Sequence, residues 1–151
     1  MRIGVLSDTH IHLAEEIPAK VVAAFSDVDL IIHAGDFVGS GVLEGLKIIG
    51  EVRAVHGNVD SITLRNMLPE KEIFTIEGRK IGITHGWGSP NGIQDRVLGR
   101  LGEVDIIVYG HSHIARIEKI GNVLFFNPGP GWRSFGILTI DKEVTGEIIR
   151  I

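Results

Sequence analysis

The stretch Ile3-Gly4-Val5-Leu6-Ser7-Asp8-Thr9-His10 decides the reading of this chain. A short apolar run of this kind suits a buried strand, and residue types that ligate metals follow it at once. The same arrangement recurs along the sequence. Leu30–His33 runs into Ala34-Gly35-Asp36, and Val52–His56 runs into Gly57-Asn58-Val59-Asp60. Ile81–Thr84 runs into His85-Gly86, and Asp105–Tyr109 runs into Gly110-His111-Ser112-His113. Five predicted strands thus deliver Asp, His or Asn at or just past their C-terminal ends. Open α/β sheets bind ligands at that edge. If these ends lie together, they gather Asp8, His10, Asp36, Asn58, His85, His111 and His113.

The segments between these strands give the organisation. Glu15–Phe25 reads as a helix, with Pro18 tolerable only in its first turn. Val42–Ile49 reads as a helix ended by Gly50. The first half is therefore βαβαβ, which predicts a parallel sheet with crossover helices. The second half changes character. Ile73–Ile76 and Lys80–Thr84 flank Glu77-Gly78-Arg79 as a hairpin, and Gly92–Leu101 is a helix. Ala115–Ile120 with Val123–Phe126, and Gly136–Ile140 with Thr145–Ile151, make two more hairpins. Three hairpins predict largely antiparallel pairing in this half. Two sheets facing each other, with helices outside, would bury all these strands.

The gathered residues comprise two carboxylates, one amide and four imidazoles, and the chain has no Cys. Nitrogen and oxygen donors in this mixture suit Mn, Fe, Zn, Co or Ni better than an all-oxygen Mg or Ca cage. The set is large enough for two divalent ions. Asp36, central in sequence order, is the candidate carboxylate to bridge them. Two ions about 3.5–4 Å apart can activate a shared water as hydroxide and neutralise phosphate oxygens. Gly35, Gly57, Gly86 and Gly110 stand beside proposed ligands, where a missing side chain permits close approach.

The ordered blocks Asp8-Thr9-His10, Gly35-Asp36, Gly57-Asn58, His85-Gly86 and Gly110-His111-Ser112-His113 resemble the calcineurin-like metallophosphoesterase family. The likeness is greatest to its small stand-alone bacterial and archaeal phosphodiesterases. It extends through Asn127-Pro128-Gly129 and the final hairpin. The resemblance implies an α/β four-layer αββα sandwich, two mixed sheets flanked by helices. It implies phosphoester hydrolysis at a dinuclear centre by a hydroxide that bridges the metals. One metal would take Asp8, His10, Asp36 and His113, and the other Asp36, Asn58, His85 and His111. The ions would be divalent transition metals, with Mn first and Ni, Fe, Zn or Co as alternatives. Many relatives carry a His after the Gly-Asn pair, where it acts on the leaving group. Val59 stands there in this chain, which removes the usual general acid and favours activated diesters over monoesters. A missing general acid costs roughly 10²–10⁴-fold. Relatives often form homo-oligomers. One eukaryotic relative, a retromer subunit, is a scaffold with a degraded metal centre. That leaves a metal-binding scaffold as the alternative reading, distinguished by ligand completeness, and all seven ligand positions are filled here. A nuclease is a third reading.

Composition narrows these readings. The chain has 151 residues, which predicts one domain spanning 1–151 with little room for a specificity domain. Apolar residues make up 44% and charged residues 23%, ordinary for a globular chain. The absence of Cys excludes disulfides, thiolate sites and a Cys nucleophile. The formal charge of −4 shows no basic nucleic-acid footprint and argues against a basic groove, while the resemblance and the short chain together imply a small phosphodiester substrate. No apolar run reaches the roughly 18 residues of a membrane span, and no signal peptide is visible, so a cytoplasmic location is expected. No Gly-x-x-x-x-Gly-Lys loop or Gly-x-Ser-x-Gly elbow occurs.

Several further residues carry their own expectations. Ser7, Thr9 and Ser112 read as local hydrogen-bonding residues. His12 reads as exposed and His33 as a hydrogen-bonded core residue. His56 reads as core, with a supporting place beneath the site as the alternative. Asp60 either caps a helix near Ser61 or orients a site group. Trp87 is placed to stack on a substrate ring. The loop with Asn127-Pro128-Gly129, Trp132 and Arg133 is either a plain turn or a site wall with Arg133 as a phosphate clamp.

Overall fold

The computed structural model describes all 151 residues. Its strands are β1 (Arg2–Leu6), β2 (Leu30–His33), β3 (Val52–Ala54), β4 (Lys71–Ile76), β5 (Arg79–Thr84), β6 (Ile106–Val108), β7 (Arg116–Ile120), β8 (Val123–Asn127), β9 (Ser134–Ile140) and β10 (Val144–Arg150). Its α-helices are α1 (Ala19–Phe25), α2 (Ser40–Ile49), α3 (Ile62–Met67) and α4 (Ile93–Leu101). They form two five-stranded mixed sheets, ordered β10-β9-β1-β2-β3 and β4-β5-β6-β8-β7.

The alternation of each strand sorts its side chains between layers. Ile3 and Val5 of β1 join Leu30 and Ile32 of β2 between the sheets, against Ile81, Ile83, Ile106, Val108 and Phe126 of the other sheet. Leu6 and Ile31 point the opposite way, to the layer of Val21 and Phe25 on α1 and Val42 and Leu46 on α2. On the far side, Ile93, Val97 and Leu101 of α4 cover Ile107 and Phe125. The result is the expected αββα sandwich. Strands covered on both faces are apolar throughout, which explains their continuous runs.

One expectation changes. The helix read over Glu15–Phe25 is broken: a single 3-10 turn spans Ala14–Glu16, and α1 begins after Pro18. The proline lacks the N–H that would extend the helix backwards and biases Ile17 to extended backbone, at φ −63° and ψ 127°. The three expected hairpins form, and β5, β6 and β8 run parallel at the centre of the second sheet, which is mixed as expected. Helix α4 crosses over from β5 to β6, so both strands point the same way. The last hairpin belongs to the first sheet, because β9 pairs antiparallel with β1.

This topology positions the site. The C-terminal ends of β1 and β2 open onto the same edge as those of β5 and β6, and loops across that edge are joined through their backbones. Asp8 N–H donates to Gly35 O at 2.9 Å, and Gly110 N–H to His85 O at 3.0 Å. The His85 ring bonds Ala34 O through Nδ1 at 2.7 Å, tying one sheet to the other.

Candidate metal centre

Five of the seven expected residues converge on one small volume. Asp8 Oδ1 lies 3.8 Å from His10 Nε2, 3.6 Å from His85 Nε2 and 3.3 Å from His113 Nε2. Asp36 Oδ2 lies 3.6 Å from His10 Nε2 and 3.1 Å from His85 Nε2. Two ligand triads result, Asp8–His10–His113 and Asp8–Asp36–His85, each with donor atoms within 4.8 Å of one another. Asp8 is common to both, and Asp36 Oδ2 also reaches an imidazole of each. The other two expected residues stand further out. The His111 ring packs edge-on against His85 at 5.3 Å, and its Nε2 bonds Gly88 O at 3.0 Å. Asn58 is exposed and lines a cavity together with His85, and its backbone carbonyl accepts from the Arg65 guanidinium.

The surrounding bonds leave one oxygen of each carboxylate free. Asp8 Oδ2 accepts from Ser7 Oγ at 2.7 Å and from His111 N–H at 3.1 Å, whereas buried Asp8 Oδ1 has no partner. Asp36 Oδ1 accepts from Val59 N–H at 3.0 Å, which turns Oδ2 toward the cluster. His85 donates from Nδ1 to Ala34 O, and its buried Nε2 is also without a partner. An unpartnered buried carboxylate oxygen and imidazole nitrogen are costly side by side. A divalent cation bound by nitrogen and oxygen donors satisfies both. The residues therefore fit the metal that the sequence implies.

The backbone at the cluster is unusual. Asp8 (φ 52°), His10 (51°), Asp36 (60°), His111 (70°) and His113 (59°) all occupy the left-handed region. Non-glycine residues there are uncommon and strained, and such strain concentrates at functional sites. The glycine neighbours matter sterically at Gly57, whose added Cβ would overlap Asp36 Oδ1.

The electrostatics follow from the packing. Burial pushes the Asp8 carboxyl up, but the imidazoles of His10, His85 and His113 and the Ser7 hydroxyl outweigh it and hold it below the usual range. Burial likewise raises Asp36, and His85 with the Val59 N–H brings it down. His10 is raised, chiefly by Asp8. Burial lowers His85, but Asp36 and Asp8 raise it overall. Without a metal, the carboxylates of Asp8 and Asp36 and the imidazoles of His10 and His85 thus favour one another's charged forms.

The remaining expectations resolve variously. Ser61 Oγ caps α3, while Asp60 accepts N–H bonds from Asp36, Val38 and Gly57. Asp60 therefore orients the site and does not cap the helix. His33 is buried, with Nδ1 accepting from Gly35 N–H and Nε2 donating to Thr9 Oγ1 at 3.1 Å. His12 is exposed. His56 is not core: it is half-buried and lines the cavity beside Asn58 and Trp87. Arg100 stacks 3.9 Å over the Trp87 ring, so one face of that indole is already taken. The late loop is more than a turn. Gly131 N–H bonds Asp8 O at 3.1 Å, and the Trp132 ring stands edge-on to His10 and His113 at 5.3 and 5.2 Å. Nothing local in the sequence around Trp132 announces that contact, because it joins β8–β9 to β1 across the chain.

A four-layer αββα sandwich with a histidine–carboxylate cluster at the shared sheet edge defines a class, the calcineurin-like phosphoesterases. The model of the calcineurin-like phosphoesterase superfamily domain matches residues 1–142, and the chain belongs to that family. Among its relatives, a probable metallophosphoesterase of Methanocaldococcus jannaschii is 41% identical over 133 residues, covering 85% of this chain and 67% of the relative. A phosphodiesterase of the same organism is 30% identical over 169 residues, covering 99% of each. A solved structure described as a novel archaeal phosphodiesterase superposes with a TM-score of 0.79 at 28% identity, covering 99% of this chain and 100% of that one. Zinc-complexed Vps29 of Entamoeba histolytica superposes with a TM-score of 0.77 at 24% identity, covering 99% of each, and shares the fold.

Proposed function

We propose that the chain is a metal-dependent phosphodiesterase of a single domain, acting on small phosphodiesters. The observation that carries this is the pair of unpartnered buried atoms, Asp8 Oδ1 and His85 Nε2, held 3.6 Å apart inside a family of phosphoesterases. Asp8, His10, Asp36 and His113 would hold one divalent ion, and Asp36, Asn58, His85 and His111 would hold the other. Manganese is the first choice of metal, and Ni, Fe, Zn and Co suit the same donors. Bound ions supply Lewis-acid stabilisation of phosphate charge and a nucleophilic water at neutral pH.

The chain itself does the positioning. Ser7 Oγ and the His111 N–H fix Asp8, the Val59 N–H fixes Asp36, and Ala34 O fixes the His85 ring. The Val59 position thus contributes a backbone donor and no acid, which favours diesters with good leaving groups. A cavity of about 220 Å³ lined by His56, Asn58, Arg65, Trp87 and Arg100 opens directly from His85 and gives a small ester group room.

The test is metal analysis of the purified protein, then hydrolysis of bis(4-nitrophenyl) phosphate with added Mn or Ni. Turnover should require metal and be lost in Asp36→Ala and in Asn58→Ala. Full activity in either pure variant overturns the assignment. Tight metal binding with no hydrolysis of any diester would favour the scaffold reading instead.

A further inference from the structure

We infer that an anion subsite lies beside the metal centre, built from Arg133 and Arg150, and that it takes a second phosphate of the substrate. The preferred substrate is then a phosphodiester bearing a further phosphate on one arm. This rests on the phosphodiesterase reading for the location of the scissile ester.

A second cavity, of about 260 Å³, shares no lining residue with the one beside Asn58 and Trp87. One wall is His113, a proposed ligand. Two others are the arginines, and apolar Ile114, Pro130 and Ile148 fill the space between. No carboxylate lines it. The fold sets the two arginines side by side. Arg150 pairs with Ser134 across the β9–β10 ladder, and Ile151 N–H bonds Arg133 O at 2.9 Å. Pro130 O accepts from the N–H groups of Arg133 and Ser134, so the turn carrying Arg133 is fixed. Gly131 then ties that turn to Asp8 O.

The guanidinium groups are distinctive within this chain. It has nine arginines. Four pair with carboxylates, and three more bond backbone carbonyls. Arg133 and Arg150 alone have no partner for their guanidinium groups, and both face the cavity. Planar forks of donors without an acid suit phosphate oxygens. The chain as a whole is acidic at −4, so this basic spot is local to the site. The apolar wall between His113 and the arginines suits a sugar or similar spacer joining two phosphates.

Two measurements decide it. The first is calorimetric binding of thymidine 3′,5′-bisphosphate to metal-free protein, wild type against the double variant Arg133→Ala/Arg150→Ala. Affinity should fall at least tenfold in the variant, and equal affinity overturns the subsite. The second uses Mn-loaded protein and two diesters, 4-nitrophenyl thymidine 5′-phosphate with and without a 3′-phosphate. In wild type kcat/KM should favour the 3′-phosphorylated diester at least tenfold, mainly through KM, and the double variant should lose that preference. A preference that persists in the variant overturns the proposal. If neither diester is hydrolysed, the phosphodiesterase reading fails while the binding arm still decides the subsite.

Discussion

At the scale of single residues, the site is held by atoms that never face a substrate. Asp60 is the strongest case. Its buried carboxylate takes N–H bonds from Asp36, Val38 and Gly57 at 2.9, 2.9 and 2.7 Å, and so holds Asp36 in its left-handed backbone. Asp60→Ala leaves those donors unsatisfied and should cost about 3 kcal/mol in urea unfolding, with Asp60→Asn recovering part of it. An alanine variant as stable as the asparagine one would contradict this. His33 carries a different consequence. Burial holds its imidazole at about 3, against an ordinary 6.5. The unfolded chain takes up that proton below 6.5 and the folded chain resists until about 3, so this group's contribution is complete above 6.5 and is lost as pH falls toward 3. The slope is about 1.4 kcal/mol per pH unit between those limits. Unfolding of metal-free His33→Asn should therefore have a shallower pH dependence than wild type from pH 6 to 4. Parallel slopes would show that His33 is not the group. The ligand types were readable in the sequence because each follows an apolar strand directly. Asp60 stayed ambiguous, because the same residue type serves as helix cap and as backbone acceptor.

At the scale of elements, the contest was between local and long-range information. The strands and hairpins were legible because apolar runs and Gly-containing turns are local signals. Strand direction in the second sheet was not, because β6 and β8 are neighbours only after β7 folds out to the edge. The first helix starts later than its apolar pattern for a local reason, since Pro18 can open a helix but cannot sit within one. Glycines also shape the fold away from the proposed ligands. Gly136 on β9 and Gly146 on β10 both press on the Phe126 ring of the opposite sheet. An added Cβ at Gly136 would overlap that ring, which is itself fully buried. Gly136→Ala should cost about 1–3 kcal/mol by overpacking, read as a lower urea midpoint with an unchanged denaturant slope. Phe126→Leu in the same background relieves the overlap, so the double variant should be less destabilised than the sum of the two single ones. Strict additivity would indicate that Gly136 acts through backbone conformation instead.

At the scale of the whole molecule, the two sheets meet in a cluster whose charges oppose metal loading at one pH and permit it at another. Without metal, Asp8 and Asp36 titrate below their ordinary values while His10 and His85 titrate above theirs. The carboxylates contribute stability above their unfolded values that is lost as pH falls through the depressed folded ones. The histidines contribute stability that is present below their ordinary 6.5 and is lost as pH rises through the raised folded values. The metal-free protein thus loses part of the cluster's support on the alkaline side. Metal binding has the opposite sign, because ligating imidazoles must be deprotonated. Ligand held at 100 times its dissociation constant adds about 2.7 kcal/mol of stability per site. For a chain of this size, each kcal/mol raises Tm by roughly 2–4 °C. Manganese should therefore raise Tm by at least about 5 °C at pH 8, and the increment should shrink steadily toward pH 6. Thermal unfolding with excess Mn and with chelator across that range measures it directly. An increment independent of pH would mean that the ions bind outside the histidine cluster, and Asp8→Asn, which removes the carboxylate shared by both triads, would then leave the increment intact.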